Sequence, residues 1–260
     1  MLPSLPSLEA PFQTVADVVQ GIGQLESALR ARRDRRAVFA TAYLAISLEI
    51  QARLSSGFFL DNDWVARYMV AFADLYRGAW VCYTGGLRQS VPKAWRLSFD
   101  TSAAGRGLVT QDLLLGLNAH INYDLPLALL SVSIDPDREA RHADHTAVNL
   151  ALREATDPLQ LRIAQYYAPL LRLLDAAARR LDEDVSNFSM EKARQASWLA
   201  AVSLANARDE AERLALRAGL DDRAAVLAHL VLKPNLAFPG LWTLLRLLEN
   251  LRPWWGVMEG

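Results

Sequence analysis

Apolar residues recur every three or four positions along most of this chain, and the strict alternation that builds strands is nearly absent. The spacing predicts helices over about residues 14–31 and 36–53, the second stopped at Gly57. Asp61, Asn62 and Asp63 offer N-caps for a third helix, whose Val65, Tyr68, Met69, Phe72 and Leu75 keep the three–four rhythm. A looser stretch, residues 85–107, holds a short helix after Pro92, and Thr110 is placed to cap the most apolar helix. Asp135-Pro136 and Asp157-Pro158 each read as an N-cap with proline at the first helical position. They open helices to about Arg153 and about Leu181, the latter kinked at Pro169. A long helix over about residues 189–218, ended by Gly219, and two more over 221–232 and 239–251 complete the set. Connections are short and no repeat is visible. The expected fold is all-α: a compact single-domain helical bundle of residues 14–260 with a central buried helix, behind an N-terminal extension of residues 1–13.

The central helix, over about residues 113–130, is apolar on every side, which marks it as buried. Its middle nevertheless reads Asn118-Ala119-His120-Ile121-Asn122-Tyr123-Asp124. At about 100° per residue His120 and Asp124 share one face, and Asn118 and Asn122 share a nearly opposite one. Each such group left buried and unpaired costs roughly 2 kcal/mol or more, and an ionised carboxylate far more. They must meet partners: side chains, water, a ligand or a metal ion. Pro126 cannot donate to the Asn122 carbonyl, so a kink or a freed carbonyl is expected beside Asp124. The His-x-x-x-Asp pair suits either of two roles, two ligands to a divalent metal such as zinc or an acid–base pair in which the carboxylate orients the imidazole. A core network that only fixes helix register is the alternative.

The stretch Leu115-Gly116-Leu117-Asn118-Ala119-His120-Ile121-Asn122-Tyr123-Asp124-Leu125 resembles the signature, GxNAHINxDL, of an uncharacterised bacterial family, a domain of unknown function. Asp144-His145-Thr146-Ala147-Val148-Asn149 is similar to a second, looser motif of that family, with His145 where an aromatic residue is expected. Arg194 to Trp198 resembles a third, and together the three span roughly residues 58–204. The resemblance implies an all-helical fold and a shared polar centre, and no known reaction.

On the helix after Asp135, Ala140, Ala143, Ala147, Leu150 and Ala151 form the apolar stripe. His142, His145 and Asn149 lie opposite it, and the two histidines are expected to face solvent, while Asp144, near the edge, is placed to turn inward and join His120 and Asp124. Arg194 is then the counter-charge for that acidic cluster. Cys82, in an apolar setting, reads as a small core residue, and His229 as a partly buried structural one.

Hydrophobic residues make up 52% and charged ones 22%, enough apolar matter for a sizeable core. A net charge of -1 gives no reason to expect a nucleic-acid partner. The arginine-rich run over residues 30–36 reads as a solvated helix junction. One cysteine excludes an intrachain disulfide and a cysteine-based zinc knuckle. No stretch reaches the roughly 18 uninterrupted apolar residues of a transmembrane segment, and no signal peptide is apparent, so a cytoplasmic location is expected. No phosphate-cradling glycine loop, dinucleotide fingerprint or nucleophile elbow is present. Leu241, Leu244, Leu245, Leu248 and Leu251 form a C-terminal stripe that reads as packing across the bundle; its alternative is an interface for a second copy in a homo-oligomer, another protein or a membrane surface.

The functional expectation is an enzyme acting on a small, largely apolar metabolite between helices, of the kind found in secondary metabolism. His120, Asp124 and Asp144 carry acid–base or metal-assisted chemistry, hydrolysis or cyclisation, and Asn118, Asn122, Asn149 and Arg194 bind substrate. The competing expectation is a non-catalytic ligand-binding or protein-interaction module.

Overall fold

Thr14 opens the first helix, α1 (Val15–Ala31), by accepting from the backbone N–H of Asp17, whose carboxylate in turn accepts from the N–H of Thr14 at 2.9 Å. This reciprocal cap satisfies two donors that the helix itself cannot. The computed structural model describes residues 5–167 and 190–233, and these form an all-helical bundle without strands. α2 (Ala37–Ser55) ends where Gly57 takes a φ of 69°, so that the N–H of Phe58 reaches the Arg53 carbonyl and that of Gly57 reaches Leu54. Glycine at this position avoids the penalty that any other side chain meets there. By length and composition α2 is apolar enough to cross a membrane, and half of its most apolar stretch is buried. It lies against α1 and three later helices.

α3 (Asn62–Thr84) starts at Asp61, whose side chain accepts from the N–H of Trp64. α4 (Lys93–Ala103) follows Pro92. The central helix comprises α5 (Val109–Ala119), a π-helical turn (His120–Asp124) and α6 (Leu125–Ser131). Its start is not capped by Thr110: Gln111 accepts from the N–H of Leu108 at 2.9 Å, and the helix begins two residues earlier than a Thr110 cap would place it. α5 packs on α2 and α4, and α6 on α3. Leu115, Ala119, Leu125, Ala128 and Leu129 have no exposed surface.

Three expectations are corrected. The helices expected to open at Asp135 and Asp157 are one, α7 (Arg138–Tyr167), running through Pro158. Asp135 binds the Arg138 guanidinium instead of capping. Ala151, Ile163 and Tyr167 are buried on both sides of the proline, so continuous packing along α2 outweighs the one backbone bond that proline removes. The chain then breaks at residues 206–209, between α8 (Met190–Ala205) and α9 (Glu210–Leu232), and not at Gly219. Asp209 accepts from the N–H of Glu212 at 2.7 Å, a local cap, whereas Gly219 costs a helix only about 1 kcal/mol. Thirdly, the arginine run is not wholly solvated. Arg35 is buried, donating from Nε to Asp112 at 2.7 Å and from Nη2 to the carbonyl of Gly107. The kink at Pro169 and the leucine stripe over 241–251 lie outside the described residues. From the expected extension, Phe12 is buried and its N–H donates to Asp74 at 3.1 Å.

Candidate functional site

The site begins with a backbone consequence of Pro126. In the turn from His120 to Asp124 the N–H of Leu125 bonds to the His120 carbonyl, five residues back instead of four. With the register stepped by one, the carbonyl facing Pro126 is that of Ile121, and proline offers it no N–H. The hydroxyl of Ser197 on α8 fills the gap, 2.6 Å from that oxygen. The freed carbonyl is therefore real, one residue from where the sequence placed it, and it ties α8 to the central helix.

The same turn presents His120 and Asp124 to one another. His120 Nδ1 lies 2.9 Å from Asp124 Oδ2, which also accepts from Trp95 Nε1 at 2.8 Å. The imidazole stacks flat on Phe72 and meets the edge of Tyr43 with centroids 4.6 Å apart. Burial pushes His120 well below the ordinary histidine range and Asp124 well above the carboxylate range. The imidazole is therefore neutral at pH 7. With Nδ1–H donating to an ionised Asp124, Nε2 is a base; with Asp124 protonated and donating to Nδ1, Nε2–H is an acid.

That outer nitrogen is the decisive atom. His120 Nε2, the Tyr43 hydroxyl and the Ser47 hydroxyl are buried with no hydrogen-bond partner among the described residues. All three side chains line one cavity of about 70 Å³ between α2, α3, α7, α8 and the π-helical turn. A water needs roughly 10–15 Å³ measured in this way, so the space exceeds what one water fills. Its walls are otherwise mostly apolar, with Ile46, Ile50, Val65 and Met69 among them. Three orphaned polar atoms, each costing about 1–3 kcal/mol unless satisfied, make this cavity the candidate site.

A model described as a family of unknown function, DUF5995, matches residues 15–234, most of the chain. The protein belongs to this family. No curated protein and no solved structure matches it. The three segments by which the sequence resembled such a family meet at the cavity, since Leu117, His120 and Ile121 come from the first, Val148 from the second and Arg194 from the third.

The remaining residues singled out in this DUF5995 chain fall into place differently. Asn118 is fully buried, but its amide donates to the Ala224 carbonyl on α9 at 2.8 Å, and Asn122 donates to Asn118 at 3.0 Å. Neither lines the cavity; together they anchor α9, which corrects their expected substrate-binding role. Asp144 is buried, yet both its oxygens accept from the N–H groups of Leu60 and Asp61 at 2.8 Å, ahead of α3. It does not join His120 and Asp124, because those two amides already fill it. Among the described residues no three His, Cys, Asp or Glu side chains converge as a metal-ligand set. His120 Nδ1 and Asp124 Oδ2 are spent on one another, so the residues present do not fit the divalent metal expected from them.

The rotation of α7 is also corrected. Ala140, Ala143 and Leu150, expected to be buried, are exposed, whereas His145 is 1% exposed. Its Nε2 lies 3.2 Å from the Arg194 carbonyl and its Nδ1 3.3 Å from both Tyr68 and Arg194. Arg194 donates to Asn149 at 2.7 Å and to the His145 carbonyl at 2.7 Å, so two polar residues four apart turn that face of α7 toward α8. Arg194 thus pairs with no carboxylate among the described residues, and the counter-charge role is not observed. His142 is half-buried against Trp198 and bonds Gln195. His229 is exposed, because Leu220, Ala224 and Ala228 set the buried face of α9. Cys82 is partly buried and packed on the core.

Tyr43, Ser47, Trp95 and Ser197 were not anticipated. A signal existed for the first two: a tyrosine and a serine four residues apart in the most apolar stretch of α2.

Proposed function

We propose that this protein is an enzyme that moves a proton on a small, largely apolar molecule held in the cavity, with His120 as the acid–base group. Asp124 orients the imidazole and selects its tautomer, and the hydroxyls of Tyr43 and Ser47 hold a polar atom of the bound molecule. The observation that carries this reading is the buried, unpartnered Nε2 of His120 at a cavity wall, with Nδ1 already engaged by Asp124. The chemistry this supports is proton transfer beside a polarised bond, as in isomerisation, elimination or ring closure. A non-catalytic binding module is the second reading, favoured by the mostly apolar lining.

Imidazole ¹⁵N spectra test the site. Small carbonyl compounds or pressurised xenon should shift the His120 resonances and leave those of His142 in place. Ligands that bind elsewhere and leave His120 unmoved would count against the proposal. Deuterium uptake into a bound carbonyl compound in D₂O separates the two readings. Uptake lost in His120→Gln with binding retained supports catalysis, whereas uptake equally slow in both proteins supports the binding module.

A further inference from the structure

We infer that the molecule this cavity takes is a short aliphatic carboxylate whose charged end is gripped by Arg194. The inference rests on the reading of the cavity as a ligand site and names the class of ligand. Arg194 is only 4% exposed, and among the described residues it is the one formally charged side chain on the cavity wall. No Asp or Glu is among those lining residues. The guanidinium donates from Nε to the amide oxygen of Asn149 and from Nη2 to the His145 carbonyl, with His145 Nδ1 as a third neighbour. Burial and Arg194 itself keep His145 neutral, and burial keeps the adjacent Tyr68 hydroxyl protonated. Every partner is therefore neutral: these bonds engage Nε and Nη2, and the charge has no counter-ion among the described residues. A buried cation without a counter-ion is strongly disfavoured, and an anion entering the cavity supplies what the fold leaves out.

The geometry narrows the anion. With Nε and Nη2 engaged, the Nη1 end of the guanidinium is left to meet the carboxylate through a charge-assisted hydrogen bond. Ile46, Ile50, Val65 and Met69 offer the rest of the ligand only apolar contact, which suits an alkyl chain better than a sugar or a phosphate ester. At about 70 Å³ the cavity is close to half the size of an engineered one that admits benzene, so the chain is short.

The test is calorimetric titration of the intact protein with propanoate and with its neutral, nearly isosteric amide, propanamide, alongside His120 imidazole spectra. Wild type should bind the acid at least tenfold more tightly than the amide. That preference should vanish in Arg194→Gln and survive in part in Arg194→Lys. Equal affinity for acid and amide in wild type, or a preference that persists in Arg194→Gln, overturns the inference. Should Arg194→Gln not fold, the wild-type comparison and Arg194→Lys decide. If the amide alone shifts His120, the ligand site stands and only the carboxylate assignment fails. If acid, amide and xenon all leave His120 unmoved, both fail together.

Discussion

The ring of Phe72 lies flat against the imidazole of His120, their centroids 3.5 Å apart and their planes within 6°. Phe72 comes from α3 and His120 from the π-helical turn, so the stack joins two helices and covers one face of the imidazole. Phe72→Leu should cost about 1–2 kcal/mol of stability, in the range of partial core truncations. Water reaching the exposed ring face should also raise the His120 titration midpoint. Urea unfolding and imidazole NMR read the two effects; an unchanged midpoint would show that Phe72 does not set the burial of His120.

Acid should destabilise the protein through its buried histidines. His120 and His145 are both held below the ordinary histidine range, by burial and, for His145, also by Arg194. Below about pH 6.5 the unfolded chain takes up protons that the folded one refuses, so stability falls with pH by up to about 1.4 kcal/mol per unit for each histidine. Asp124 acts oppositely: its raised folded value keeps a proton that the unfolded chain has released above about pH 4, so its contribution weakens the fold as pH rises through that window. Urea midpoints between pH 5 and 7 should fall more steeply on acidification in Asp124→Asn than in wild type, and less steeply in His120→Gln. Parallel curves would refute the assignment.

Gly116 belongs to the packing of α5 on α2. A Cβ built there would sit 2.4 Å from Cδ2 and 2.8 Å from Cβ of Phe39. Gly116→Ala gains up to about 1 kcal/mol of helix propensity but should lose about 1–3 kcal/mol net to overpacking. A raised melting temperature would show that the two helices separate more easily than their contact suggests.

Asn118 should matter for α9 and not for the cavity. Asn118→Ala removes its bonds to the Ala224 carbonyl and to Asn122. A loss of about 1–3 kcal/mol is expected, with faster amide exchange confined to α9 and unmoved His120 resonances. A shift of His120 as large as that produced by Phe72→Leu would mean that the two faces of the central helix are coupled.

Much of the helical layout was legible because its signals are short-range. Thr14 with Asp17, Asp61 with Trp64 and Gly57 with Leu54 all complete their bonds within a few residues. Pro158 and Gly219 misled because their penalties, although local, are small beside packing supplied by other helices. His120 and Asp124 could be paired in advance from their spacing of four. The partners of Asn118, Asp144, Arg194 and the second partner of Asp124 could not, because each comes from elsewhere in the chain. Trp95 is 29 positions from Asp124, and Asn118 is 106 from the carbonyl it binds.

By itself the order of residues determined that this chain is helical, that one helix is buried, and that its imidazole, carboxylate and amides had to find partners. Only the packed structure decided which partners: Trp95 for Asp124, the α9 backbone for Asn118, the amides of Leu60 and Asp61 for Asp144, and, among the described residues, none for the outer nitrogen of His120. The division follows from the range of the forces involved. A helix is closed by bonds four or five residues long, whereas burial, desolvation and the shape of a cavity are set by side chains that meet only after the helices have assembled.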